Sequence, residues 1–127
     1  MTAPPPRTDR RTPWRIVTVL GLLVGATGIS ILWAAGVEFP VAIPPGLVIL
    51  LVGALLVALL RAPWAAAVGA FLGAFVLVGF LASPTGMDNL TGQSGTAVAS
   101  GQAVQLLGVA IALVSGTVAF RSERRRR

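Results

Sequence analysis

The sequence predicts an all-α membrane protein: four transmembrane helices in a compact antiparallel bundle, with the N- and C-termini both cytoplasmic. Three observations predict it. Of 127 residues 55% are hydrophobic and only 11% charged, whereas a soluble domain needs about 25% charged residues to wet its surface. The apolar residues fall into four runs, most of them close to the roughly 20 residues that cross a hydrocarbon core of about 30 Å. The arginines stand only where four crossings would collect them on one side.

The chain opens with a tail, residues 1–12, whose Pro4-Pro5-Pro6 run favours disorder. The transmembrane domain is expected over residues 13–120, and its first span over 16–35. A basic stretch before an apolar run can also be a cleaved signal peptide. This run is long for one, and Leu32 and Trp33 stand where a small-x-small cleavage pair belongs. The Arg10-Arg11 pair is followed by Pro13 and Trp14, which do not suit a twin-arginine export signal. The first span is therefore expected to be retained. The second covers residues 43–60 and the third 63–81. Between them Arg61-Ala62-Pro63-Trp64 breaks an apolar stretch too long for one crossing, and Pro63 is suited to the first turn of a new helix. So short a turn makes the two helices antiparallel neighbours. The fourth span covers 98–120, and residues 121–127 form a basic tail.

Orientation follows from charge. All ten basic residues are arginine. Arg7, Arg10, Arg11 and Arg15 precede the first span, Arg61 lies in the turn, and Arg121 with Arg124 to Arg127 follows the fourth. The opposite side receives only Glu38 and Asp88. Basic residues near span ends stay in the cytoplasm, and Trp14, Trp33 and Trp64 fall at span boundaries as an aromatic belt does. The pI of about 12 is thus a topology signal. Nucleic-acid binding is not expected, because the charge is divided between two tails and a turn.

In lipid, close backbone approach and interhelical hydrogen bonds hold helices together, so small residues mark packing faces. Thr18, Gly21, Gly25 and Gly28 form such a stripe in the first span, Ala62, Ala66, Gly69 and Gly73 in the third, and Gly101, Gln105, Gly108, Ala112, Ser115 and Gly116 in the fourth. Gly21-x-x-x-Gly25 and Gly69-x-x-x-Gly73 can support homodimers, but packing within one chain is the expected use. The second span is mostly Leu, Val and Ile and should face lipid most. A faint two-hairpin repeat is visible too, in the Pro-Trp pairs at 13–14 and 63–64 and in the matching register of Glu38 and Asp88. Composition alone produces coincidences of that kind.

The reactive inventory is narrow. There is no Cys, His, Tyr or Lys, which removes thiol chemistry, His or Cys metal sites, Schiff bases and most acid–base designs. No catalytic residue, cofactor site or metal site is expected. Four-span drug exporters are similar in length and span count, and they couple transport through a buried acid in the first helix. Here the first span offers only Thr18, Thr27 and Ser30, so the resemblance ends at that residue. The remaining polar groups lie towards the outer face: Glu38, Asp88, Gln102 and Gln105 form a candidate cluster. It can be the mouth of a path for a cation or small polar solute. Against that, loop acids are solvated, and glutamines at this spacing bond neighbouring helices; packing is the favoured reading. Asn89-Leu90-Thr91 matches the glycosylation triplet, but arginine without lysine amid Ala, Gly and Val indicates a high-GC bacterial source, where the triplet carries no meaning. Arg124, Arg125, Arg126 and Arg127 are expected to contact anionic lipids at the cytoplasmic face. The expected role is a non-catalytic inner-membrane protein, a structural or accessory partner of other membrane proteins. The alternative is a small homodimeric channel or transporter.

Overall fold

The computed structural model describes residues 13–36, 45–83, 86–93 and 95–125. The tail 1–12, Glu38, Arg126 and Arg127 lie outside the described residues. Every regular element within them is helical. Three helices begin on proline: α1 (Pro13–Ala34), α2 (Pro45–Leu59) and α3 (Pro63–Ala82). Proline lacks an N–H that the first turn cannot pair anyway, and its φ is already helical. It also bars the residue before it from helix, and Ala62 is accordingly extended at φ −72 and ψ 142. The α2–α3 turn is confined to residues 60–62 for that reason.

The segment between α3 and the last helix is not all loop. It contains a single helical turn, α4 (Gly86–Leu90), made possible by glycine. A Cβ at Gly86 would lie 2.6 Å from the Phe80 carbonyl oxygen and 2.9 Å from its ring. Gly92 and Gly95 then reverse the chain with φ of 90 and 106, a region that L side chains rarely adopt. The final helix, α5 (Thr96–Arg125), has 30 residues, about 45 Å in length. It does not stop at Phe120 but continues through the start of the basic tail.

By length and composition α1, α3 and α5 can each cross a membrane, and α2 is a shorter apolar helix. All sequence-adjacent long helices run antiparallel. Gly25 faces Leu50 and Gly46 faces Ile29 between α1 and α2, and Gly53 faces Leu72 between α2 and α3. In the largest interface α1 lies against α5, while α3 covers another side of α5 and α2 touches only α1 and α3. The shared core is Leu22, Ala26, Ile29, Leu50, Ala54, Val57, Val76, Val109 and Ala112. Large apolar side chains also cover the outside, including Leu20, Leu55, Leu59, Phe71, Phe75, Val78 and Val114. A water-soluble surface does not carry so continuous an apolar layer. A helical protein whose faces meet lipid does.

Candidate functional site

The polar side chains buried in this bundle are few, and most lie along one line, the seam between α1 and α5. Its stripes come from the spacing of small residues at three and four, which keeps them on one helix face. Gly21, Gly25 and Gly28 of α1 and Gly101 and Gly108 of α5 are all buried there, while Gly116 of α5 is buried against Ala66 and Ala70 of α3. A Cβ at Gly21 would lie 2.8 Å from the Ala112 amide nitrogen. One at Gly28 would overlap the Gln105 backbone, and one at Gly108 would overlap that of Gly25. The two backbones are therefore in direct contact, which only glycine permits. The same holds less tightly for α3 on α5: a Cβ at Gly73 would be 2.8 Å from the Val109 carbonyl oxygen. Gly69 instead faces the side chains of Val57 and Thr18.

Polar pairs stand at both ends of this glycine-lined contact. Towards the chain termini, Thr18 Oγ1 lies 2.9 Å from Ser115 Oγ, joining α1 to α5. Each hydroxyl is also within donating distance of the carbonyl four residues earlier, Trp14 O at 2.8 Å and Ile111 O at 2.5 Å. Two protons thus serve three short contacts. At the other end Gln102 Nε2 donates to Gln105 Oε1 at 2.6 Å, with both side chains buried. Hydroxyls on exposed faces are satisfied locally: Thr27 and Thr117 donate to the carbonyls of Leu23 and Leu113, as such residues do inside helices in lipid.

One further layer was not anticipated from sequence. Arg15 reads there as a flanking charge ahead of the first span. In the structure it is part of α1 and 1% exposed, and it meets Glu123 of α5, 7% exposed. Arg15 Nη1 donates to Glu123 Oε1 at 2.8 Å. The same side chain donates from Nε to the Val57 carbonyl at 3.0 Å and from Nη1 to the Ala62 carbonyl at 3.3 Å. One guanidinium thus binds the last turn of α5, the end of α2 and the turn into α3. The Val57 carbonyl lies in the last turn of α2, where a helix end leaves such groups without an intrahelical partner, and the Ala62 carbonyl also accepts from the Ala65 N–H at 3.1 Å. The extension of α5 past Phe120 is what brings Glu123 within reach. The sequence held a signal: Arg15 continues the α1 stripe three residues before Thr18, and Glu123 continues the α5 stripe four after the buried Ala119.

The candidate outer cluster is brought together only in part. Gln102 and Gln105 pair with each other, while the Asp88 side chain is exposed on α4. Among the described residues no hydrogen bond joins Asp88 to either glutamine, and no group of three metal-ligating side chains forms. Of the basic tail, Arg124 and Arg125 complete α5 and are exposed; Arg124 lies 5.7 Å above the Phe120 ring. Arg61, exposed in the α2–α3 turn, is at the same end of the bundle as Arg15 and the end of α5.

The fold and its seam define a class: a helical membrane protein in which two buried polar pairs, Arg15 with Glu123 and Thr18 with Ser115, join α1 to α5, while a third, Gln102 with Gln105, closes within α5. Comparison takes the chain no further into a family, since no protein-family model, curated protein or solved structure matches it.

Proposed function

We propose that the chain is a small integral protein of the bacterial inner membrane that has no catalytic activity and serves as a structural or accessory partner of other membrane proteins. The observation that carries this reading is the use of the buried polar groups. Arg15 with Glu123, Thr18 with Ser115, and Gln102 with Gln105 each meet another protein group within the bundle. Between these layers glycine backbones close the seam, so α1 and α5 enclose no polar path. What is left for interaction is the apolar outer surface of α1, α2, α3 and α5, suited to lipid or to another protein's helices.

The bundle is read with α2 as a crossing helix. Its 15 residues span about 22 Å, and a short apolar segment is accommodated by local thinning of the bilayer. Four crossings put the start of α1, the α2–α3 turn and the end of α5 on one side. The exposed Arg61, Arg121, Arg124 and Arg125 are there, and Asp88 is at the other end, which makes the arginine side cytoplasmic.

The test is purification of the full chain in mild detergent from its native membrane, with mass spectrometry of whatever accompanies it stoichiometrically. A reproducible membrane-protein partner is the expected result. A lone homo-oligomer that carries ions or small solutes across liposomes would overturn the accessory role in favour of a channel.

A further inference from the structure

We propose that Phe120, Arg121, Arg124 and Arg125 form a binding site for the phosphate headgroup of an anionic phospholipid. These four residues line an open hollow of about 390 Å³ beside the last turns of α5. Three and four residues apart, Arg121, Arg124 and Arg125 share one face, and all three are exposed. Guanidinium groups match phosphate oxygens through paired N–H donors. The Arg124 guanidinium is held 5.7 Å over the Phe120 ring, within the range of a cation–π contact, so part of the site is ordered before a ligand arrives.

A second observation frees the site for an anion. Glu123 is the one acid in this stretch of sequence, and it turns to the opposite side of α5, where it is buried against Arg15. Among the described residues no carboxylate competes for the three arginines. The partial negative charge of the helix C-terminus opposes an anion there, so the side chains must supply the attraction. Phe120 supplies an apolar wall where the lipid-facing surface of α5 ends. A phospholipid offers both a phosphate for the arginines and acyl chains for that surface, whereas free phosphate offers only the first.

The inference rests on the reading that this end of the bundle lies at a membrane surface, and it adds a ligand class and a defined site. The experiment is native mass spectrometry of the full-length protein in mild detergent, with phosphatidylglycerol or phosphatidylcholine of matched acyl chains. Phosphatidylglycerol is expected to be retained preferentially. Removing Arg121, Arg124 and Arg125 together, each to Gln, should lower that retention by about fivefold per arginine. The charge-matched triple Arg7→Gln, Arg10→Gln and Arg11→Gln should largely keep it. Phe120→Leu, which leaves every charge in place, should weaken it. Equal losses from the two triples would reduce the effect to diffuse charge and overturn the site, as would equal retention of the two lipids. Displacement of the lipid by millimolar inorganic phosphate would reassign the site to the free anion. The replaced arginines are exposed, so an unchanged melting temperature separates lost binding from lost folding. Co-purifying partners are measured independently, so either proposal can fail without the other.

Discussion

Arg15 and Glu123 are 108 residues apart in sequence and form a buried ion pair 2.8 Å long, at the point where α1 begins and α5 ends. Because Arg15 also donates to the carbonyls of Val57 and Ala62, one side chain ties all four long helices together at the terminal end. Leaving one charge of such a pair buried alone costs about 3–5 kcal/mol. Arg15→Ala should therefore lower stability by about that much. Glu123→Ala should cost less, because the guanidinium keeps its two carbonyl acceptors. The swap Arg15→Glu with Glu123→Arg should recover part of the loss but not all, since the carboxylate cannot donate to those carbonyls. Unfolding in mixed micelles, followed by tryptophan fluorescence, reads these differences. A swapped protein no more stable than the worse single variant would show that the two charges do not interact.

Glycine substitutions separate contact from propensity. At Gly108 a Cβ would overlap the Gly25 backbone, while at Gly79, exposed in α3, it meets nothing within 4 Å. Gly108→Ala forces α1 and α5 apart and should cost about 1–3 kcal/mol, as overpacking does. Gly79→Ala should stabilise by up to about 1 kcal/mol, because alanine loses less conformational freedom in a helix. The same unfolding titration checks both. Equal and small effects at the two positions would mean that the α1–α5 backbones are not in contact in the membrane.

The glutamine pair distinguishes a packing layer from a pore mouth. Gln105→Leu removes the acceptor of the Gln102 amide, and both side chains are buried. The variant should lose about 0.6–2 kcal/mol, the range for buried polar bonds in membranes. Replacing both glutamines by leucine should cost less than replacing Gln105 alone, because no amide is then left without a partner. Altered solute flux in liposomes with stability unchanged would instead assign the pair to a conduction path.

Much of the architecture was legible because hydropathy and proline act locally. Pro63 sets the start of α3 where the sequence places it, and the apolar runs place α1 and α3 to within a few residues. Two features were not. α4 depends on the contact of Gly86 with Phe80, which is a tertiary relationship and leaves only a glycine among other loop residues in the sequence. The second is the charged layer. Counted as topology signals, arginines beside a span look interchangeable, yet Arg15 differs from Arg61 by standing on a packing stripe, three residues before Thr18. Glu123 differs from its arginine neighbours in the same way. Extending each small-residue stripe by one turn past the apolar run finds both partners. Hydropathy stops at the membrane boundary, but the helix and its packing face do not.

Orientation gives the last prediction. If the arginine-bearing end faces the cytoplasm, a fluorescent protein fused after Arg127 should fold and fluoresce. An alkaline phosphatase inserted after Gln93, exposed in the turn that follows α4, should be active only outside. The reverse pair of fusions should be silent. In that orientation the exposed Arg61 adds one retained charge on the inner side, and Glu there removes it and adds none of opposite effect, since acids contribute little to orientation. Arg61→Glu alone should therefore leave both reporters unchanged, because the arginines before α1 and after α3's partner α5 still agree. Phosphatase activity at the C-terminus of the unaltered chain would place that end outside. It would then require either an inverted bundle or an α2 that does not cross, and a reporter at the N-terminus would tell these apart, outside in the first case and inside in the second.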